Sequence, residues 1–291
     1  MSQYLKYLLL CFLWILILES AQESAQAHPN PITSANRVSL EFNVVPNTQW
    51  APSSIDPKAK SNRSLQVFKL QPVFPFRLNN EWTVLTRTIF RFTSTPSARP
   101  DFGVTPLGAP FVAGWDQRND TGLSDISPTA FFVPNLGSDW TFGLGPSMVI
   151  PVGDGPTDTG KLSLGPALFG FHHSGPWMIG ARVRNIWSVA GDLERADVNR
   201  LIAQPLIRYQ FHKNWYFTSS PIISADWTHP ADGDGWTVPV GGGFGYAFHL
   251  ADQPMQVSVE AYYNAIKPSF AGEDLLGDWT IRTQWQVRFP K

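Results

Sequence analysis

The chain has 291 residues, 43% of them hydrophobic and 15% charged, with a formal net charge of −1. That balance can bury a large core, so it excludes a disordered polymer, and a neutral chain without a basic tail argues against nucleic acid as a partner. Twelve Trp, 20 Phe, 23 Gly and 25 Pro suit strands and turns, and no stretch beyond the N-terminal segment keeps a helical period with caps at both ends.

Lys6, the apolar run Tyr7 to Leu18 and the Ala25-Gln26-Ala27 site predict a cleaved secretory signal over residues 1–27, with residues 28–291 as one domain. The apolar run is short for a membrane-spanning helix. Cleavage would take one of the 22 basic and two of the 23 acidic residues, leaving 21 of each. It would also take Cys11, the single cysteine, so the exported domain could form no disulfide.

Alternation of side-chain character predicts twelve strands: 37–45, 64–76, 81–92, 122–133, 139–152, 161–173, 177–190, 198–211, 214–226, 235–248, 254–266 and 278–289. The connections between them alternate short and long without exception. An up-and-down barrel places every tight turn at one end and every long loop at the other. The expectation is therefore an all-β, up-and-down antiparallel transmembrane β-barrel of about 12 strands. With an even count, both termini lie on the short-turn side, the periplasmic side of outer-membrane barrels.

Ser124 to Asp154 shows the pattern, with a turn at Asn135 to Asp139. On its return strand Trp140, Phe142, Leu144, Met148, Ile150 and Val152 share one parity, and Thr141, Gly143, Gly145 and Ser147 share the other. In the last strand Trp279, Ile281, Thr283, Trp285, Val287 and Phe289 alternate with Thr280, Arg282, Gln284, Gln286 and Arg288. The apolar parity is assigned to lipid and the polar parity to the lumen. Trp82, Trp140, Trp177 and Trp215 open strands after short turns, while Trp187, Trp227, Trp236 and Trp279 fall near long loops. Two tryptophan belts at the membrane interfaces are expected, because indole combines an apolar ring with a polar N–H. Seven prolines (72, 128, 146, 166, 205, 221 and 239) fall inside strands and are expected at bulges or where lumen water reaches the backbone.

The segments GLSDISPTAFFVPN, GSDWTFGLGP, KLSLGPALFGF and GDLERADVNRLIAQPLIRY carry a family likeness. In them the chain resembles a bacterial outer-membrane family whose members are named as transporters of the meta-pathway of phenol degradation, some under the mistaken name neuromedin U. The likeness runs from about Leu65 to the terminal RFPK and is strongest between Gly122 and Tyr209. It implies a transporter-like outer-membrane barrel and no catalytic residues.

The same parity sends Arg37, Lys69, Arg77, Arg87, Arg91, Arg182, Arg184, Arg208, Arg282 and Arg288 to the lumen, with Glu41, Asp125, Asp226 and Glu260. A charge facing lipid at mid-depth costs about 2–4 kcal/mol for Arg, so a wet interior is the favoured place for these groups. A net positive lumen would favour small anionic or carboxylated solutes; if the arginines pair with the acids instead, they plug the barrel. The small residues of the fifth and tenth strands, Gly143 and Gly245 among them, are expected to leave room opposite the arginines. The loop Gly191 to Asp197 reads as a solvated turn or a gate. Asp226, His229, Asp232 and Asp234 lack the spacing of a calcium loop.

No G-x-S-x-G elbow, zinc motif, P-loop or dinucleotide fingerprint occurs, so neither an enzyme nor a cofactor is expected. His172, His173 and Ser174 sit at a short turn, badly placed for a lipid-directed nucleophile. The expected partners are outer-membrane lipid, a small-molecule solute and, through the aromatic C-terminal strand, the barrel-assembly machinery. The readings that compete with a passive outer-membrane channel are an outer-membrane hydrolase and a non-conducting structural or adhesive barrel.

Overall fold

The wall of the molecule is a single antiparallel sheet that closes on itself. The computed structural model describes residues 35–52, 54–55, 63–136, 138–153, 157–228, 235–270 and 272–290; the expected signal segment 1–27, Gly137, Asp154, His229, Asp232 and Asp234 lie outside them. The strands are β1 (Ala35–Pro46), β2 (Ser64–Arg77), β3 (Trp82–Val104), β4 (Pro110–Pro134), β5 (Trp140–Pro151), β6 (Lys161–Ser174), β7 (Trp177–Gly191) and β8 (Asn199–Gln210). They continue with β9 (Trp215–Ser219), β10 (Ile223–Asp226), β11 (Trp236–Leu250), β12 (Gln253–Ile266), β13 (Ser269–Phe270), β14 (Glu273–Asp274) and β15 (Trp279–Pro290). Each wall strand pairs with its neighbours in sequence, β12 pairs with β15, and β15 pairs with β1. β9 and β10 both bridge β8 and β11, so they are two halves of one strand, broken at Ser220-Pro221-Ile222. The barrel thus has twelve strand positions; β13 and β14 form a separate small hairpin.

Alternation decides which way each side chain points. Along β5 the apolar Trp140, Phe142 and Leu144 are exposed, and the intervening Thr141 and Gly143 are buried. The same exterior carries Phe68, Leu168, Ile207, Phe244, Ile281 and Trp285. A contiguous apolar exterior on a barrel with a polar interior inverts the arrangement of a water-soluble protein and matches one solvated by hydrocarbon.

The turns follow from local chemistry. The Asn79 side chain accepts hydrogen bonds from the amides of Glu81 (2.9 Å) and Trp82 (2.7 Å), closing the β2–β3 turn. In the two-residue connection after Ser174, Gly175 takes φ +53°, which a glycine adopts freely. The ends Ala35 and Pro290 are direct partners, so the first and last strands begin and finish at the short-turn end.

Three features differ from the expected strands or refine them. Residues 93–121, expected as a loop, are largely strand. β2 follows β3 only as far as Ser94, and β5 follows β4 only from Asp125. Beyond those points β3 and β4 pair with each other up to Val104↔Pro110, a two-stranded ribbon about 30 Å long at roughly 3.3 Å per residue. Prolines 96 and 100 are tolerated there because each ribbon strand has an open edge that needs no donor. Trp50 against Trp115 (centroids 4.8 Å) and Arg63 donating to Asn119 Oδ1 (3.1 Å) hold the ribbon base. The second feature is the break in the ninth predicted strand. Third, the bulge expectation for the other in-strand prolines holds only at Pro239, where the register shifts; at Pro72, Pro128, Pro166 and Pro205 a pairing is missing on one side, where proline has no N–H to give, and the ladder resumes in the same register.

Candidate functional site: the charged interior

Strand register gathers the interior charges into two unlike sets, here called walls. On the first, β1 and β15 pair Asn43 with Arg282, β1 and β2 pair Glu41 with Lys69, and β12 and β15 pair Glu260 with Arg282. Lys69 Nζ lies 2.7 Å from Glu41 Oε1, Gln71 Nε2 donates to Glu41 Oε2 at 3.0 Å, and Asn43 Nδ2 donates to Oε1 at 2.8 Å. Arg282 lies 3.6 Å from Glu41 and 3.8 Å from Glu260, and its Nη1 donates to the backbone oxygen of Ser220 at 2.7 Å. Glu260 also accepts from Ser220 Oγ (3.1 Å) and from the Tyr262 hydroxyl. Glu41, Glu260 and Arg282 are buried. Every carboxylate on this wall is matched by cations and donors, and the network fastens the broken β9–β10 position to β15.

The second wall, on β3, β7 and β8, carries guanidinium groups whose hydrogen-bond acceptors are neutral. Arg87 donates to Gln71 Oε1 (2.5 Å), Arg182 to Gln204 Oε1 (2.9 Å) and Arg184 to Ser147 Oγ (3.3 Å). Arg208 donates to Gln256 Oε1 (2.6 Å) and lies over the Tyr216 ring at 3.6 Å. Among the described residues no carboxylate stands within 4.0 Å of these four, nor of Arg288 on β15. All five are half-buried.

Towards the long-loop end the charges are paired again. Asp125 is buried, lies 3.5 Å from Arg91 and accepts from Thr159 Oγ1 at 3.2 Å. Arg200 meets Asp226 at 2.8 Å and Lys161 meets Asp197 at 3.1 Å. Asp197 lies in the charged connection after β7, where its neighbour Asp192 accepts from the Glu194 amide (2.9 Å). A hydrogen bond from Lys161, the Lys161 charge and a hydrogen bond from Ser188 hold the Asp197 carboxyl below its ordinary value. Across the rim, burial tends to lower Lys267, but hydrogen bonds to Asp278 and Asp274 outweigh it and raise that ammonium above its ordinary value.

The sequence-derived residues therefore divide. Arg87, Arg182, Arg184 and Arg208 are half-buried with neutral partners, whereas Lys69, Arg91, Arg282, Glu260 and Asp125 are absorbed in ion pairs. Arg77 is exposed at a short turn, donating to Asn79 O and Asn80 Oδ1. Parity alone missed an interior apolar cluster near the short turns, formed by Leu85, Phe131, Val133, Ala167, Phe169 and Phe171. The Phe131 and Phe169 rings meet edge-on at 4.9 Å. This cluster corrects the expectation of free room beside the glycines. A Cβ on Gly143 would fall 2.3 Å from the Phe169 ring, and one on Gly245 2.2 Å from the Tyr216 ring; neighbouring aromatics already fill both spaces.

At the short-turn end Trp82, Trp140 and Trp177 are exposed and Trp215 is half-buried. Trp140 stacks on His172 (4.5 Å) and Trp177 packs on Tyr209 (4.4 Å). At the other end Trp187 and Trp279 are exposed, and Trp227 packs edge-on against Trp236 (5.6 Å) while donating to Asn185 Oδ1 (3.0 Å). Among the described residues no group of three His, Cys, Asp or Glu side chains is placed to hold a metal ion.

The fold and its interior define a class: an all-β, closed, twelve-stranded antiparallel barrel with the architecture of outer-membrane barrels. Among solved structures, the chain is similar to an outer membrane channel from Pseudomonas putida F1, at 12% identity and a TM-score of 0.57 over 91% of this chain and 100% of that one. It also matches a Pseudomonas aeruginosa FadL homologue (9% identity, TM-score 0.47, 89% of this chain and 90% of that one). A third match is the NanC porin (11% identity, TM-score 0.48, 87% and 100%). No family model and no curated protein matches the sequence. At 12% identity the first likeness establishes the fold.

Proposed function

We propose that this chain is an outer-membrane channel through which small solutes cross passively, with a preference for anions. The observation that carries the reading is the difference between the walls: the acids at mid-barrel are closed off in ion pairs, while Arg87, Arg182, Arg184, Arg208 and Arg288 stay half-buried with neutral partners. Solute in such a lumen meets positive charge, and guanidinium offers paired N–H donors to a carboxylate. The exposed apolar wall and the tryptophans at both ends support a bilayer as surroundings. Residues 1–27 would direct export, and the aromatic β15 would serve recognition by the assembly machinery. The resemblance to the phenol-degradation family makes aromatic carboxylates the first solutes to try.

Planar-bilayer reconstitution under a salt gradient tests the proposal. The expected result is a small conductance whose reversal potential favours chloride over potassium. Cation selectivity, or a folded barrel with no conductance, would overturn it.

A further inference from the structure

Between the two arginine-bearing strands β3 and β7 lie three strands that present little at the same level. The register runs from Arg87 to Thr129, from Thr129 to Ser147 and from Ser147 to Gly165, and then Ala167 faces Arg184. Long basic side chains thus flank a stretch of wall that carries small and hydroxyl-bearing residues, with Arg184 reaching across to Ser147 Oγ. The short-turn side of that stretch is bounded by Phe169, the direct partner of Arg182.

The two flanking guanidinium groups are held in place. Gln71, itself donating to Glu41, accepts from Arg87, and Gln204, donating to Ser220 O at 3.2 Å, accepts from Arg182. With their amide donors committed elsewhere, these glutamines present only an oxygen to each arginine. Each guanidinium spends one N–H on a neutral oxygen and keeps the rest of its fork. Arg182 and Arg184 share one parity of β7, and among the described residues no carboxylate stands within 4.0 Å of either or of Arg87. Glu41, which Gln71 joins to Arg87, has its oxygens occupied by Lys69, Gln71 and Asn43. A second observation points the same way. On the inward parity of β4 and β6, the hydroxyls of Ser127 and Ser163 are fully buried yet have no hydrogen-bond partner among the described residues, donors that buried structure ordinarily satisfies.

We infer that the interior over this stretch of wall is a binding station for a small oxyanion, a carboxylate or phosphate group held between the Arg87 and Arg182 guanidinium groups with Arg184 beside them. The inference deepens the channel reading and rests on it for placing the station on a solute's path. An oxyanion there would receive forked charge-assisted hydrogen bonds. Transport through such a station saturates, whereas transport through a merely positive pore does not.

The test is equilibrium binding, separate from conductance. Full-length protein folded in a non-ionic detergent is titrated calorimetrically with acetate, succinate and inorganic phosphate at constant ionic strength. Saturable binding of at least one is expected, and the strongest ligand tells carboxylate from phosphate chemistry. Arg87→Gln and Arg182→Gln should each weaken it about tenfold or more, and Arg87→Lys should weaken it while keeping the charge. Arg99→Gln, on the projecting ribbon, should leave it unchanged. Gel migration before and after boiling verifies folding of each variant. Absence of saturable binding in the folded wild type, or equal affinity in the Arg87 and Arg182 variants, overturns the station. Binding without conductance would sink the channel and keep the station; conductance without binding would do the reverse.

Discussion

Arg282 and Arg87 are the same residue type inside the same barrel, and they do opposite things. Arg282 is surrounded by Glu41, Glu260, Asn43 and the Ser220 carbonyl, so its charge is absorbed into the structure. Arg87 meets a glutamine oxygen. The first arrangement holds β15, β1, β12 and the broken strand together; the second leaves a guanidinium with only neutral hydrogen-bond partners, which on the proposed reading would face solute. The sharpest way to break this distinction is to remove each arginine in turn. Arg282→Met leaves two buried carboxylates short of a partner, and breaking a buried pair costs about 3–5 kcal/mol. Its urea midpoint, read from the heat-modifiable band, should fall sharply. Arg87→Gln should leave that midpoint unchanged or raise it, because it breaks no ion pair and removes a half-buried charge. Equal losses in the two variants would show that both walls are structural.

A smaller effect tests how full the interior is near the short turns. Gly143 lies under the Phe169 ring, which Phe131 and Phe171 confine on two sides. Gly143→Val should therefore destabilise by about 1–3 kcal/mol, the range for overpacking a filled core. If it is tolerated without loss, the aromatic cluster is loose and the basic wall has more space beside it than the packing indicates.

Selectivity should respond more modestly. In the double variant Arg87→Gln/Arg182→Gln the chloride-to-potassium permeability ratio should drop roughly threefold or more, since other interior cations remain. The reversal potential under a salt gradient reads this directly. The paired wall sharpens the contrast. Replacing Lys69 and Glu41 together by glutamine removes one charge of each sign, so selectivity should hardly move.

Much of this architecture is legible in the amino-acid sequence. Strand parity separates Trp285 from Arg282 and Leu144 from Gly143 because a lipid-facing wall and a wet interior demand opposite side chains at period two. The sorting of short and long connections gave the barrel its even strand count. Parity fails where both faces are apolar. Phe131 and Phe132 are consecutive, as are Leu168 and Phe169, and only pairing reveals that Phe131 and Phe169 turn inward. Pro96 and Pro100 disguised the ribbon, since proline marks a loop unless a strand edge is open. The partners of the interior charges were least legible. Glu41 and Lys69 lie 28 positions apart and Asn43 and Arg282 lie 239 apart, so nothing local distinguishes a paired arginine from an unpaired one.

The rim carries a third kind of charge, between the two walls in character, and predicts the smallest effect. Lys161 and Asp197 form an ion pair like Lys69 and Glu41, but the aspartate side chain is 78% exposed. Water and salt screen such a pair, so it contributes little to barrel stability. Its carboxyl is nevertheless held below the ordinary aspartate value of 3.8 by Lys161 and Ser188. The sign follows. A group whose folded value is depressed contributes stability above its unfolded value, and that contribution disappears as pH falls through the depressed one. The connection 192–198 should therefore be well anchored at neutral pH and loosen only below about pH 4, with no change in the urea midpoint of the barrel. Amide exchange of that connection, corrected for the intrinsic pH dependence of exchange, should show less protection in acid. Asp197→Asn should already show the reduced protection at pH 7 and lose most of the acid-dependent step. An unchanged step in that variant would overturn the assignment of the acid-dependent change to the Lys161–Asp197 pair.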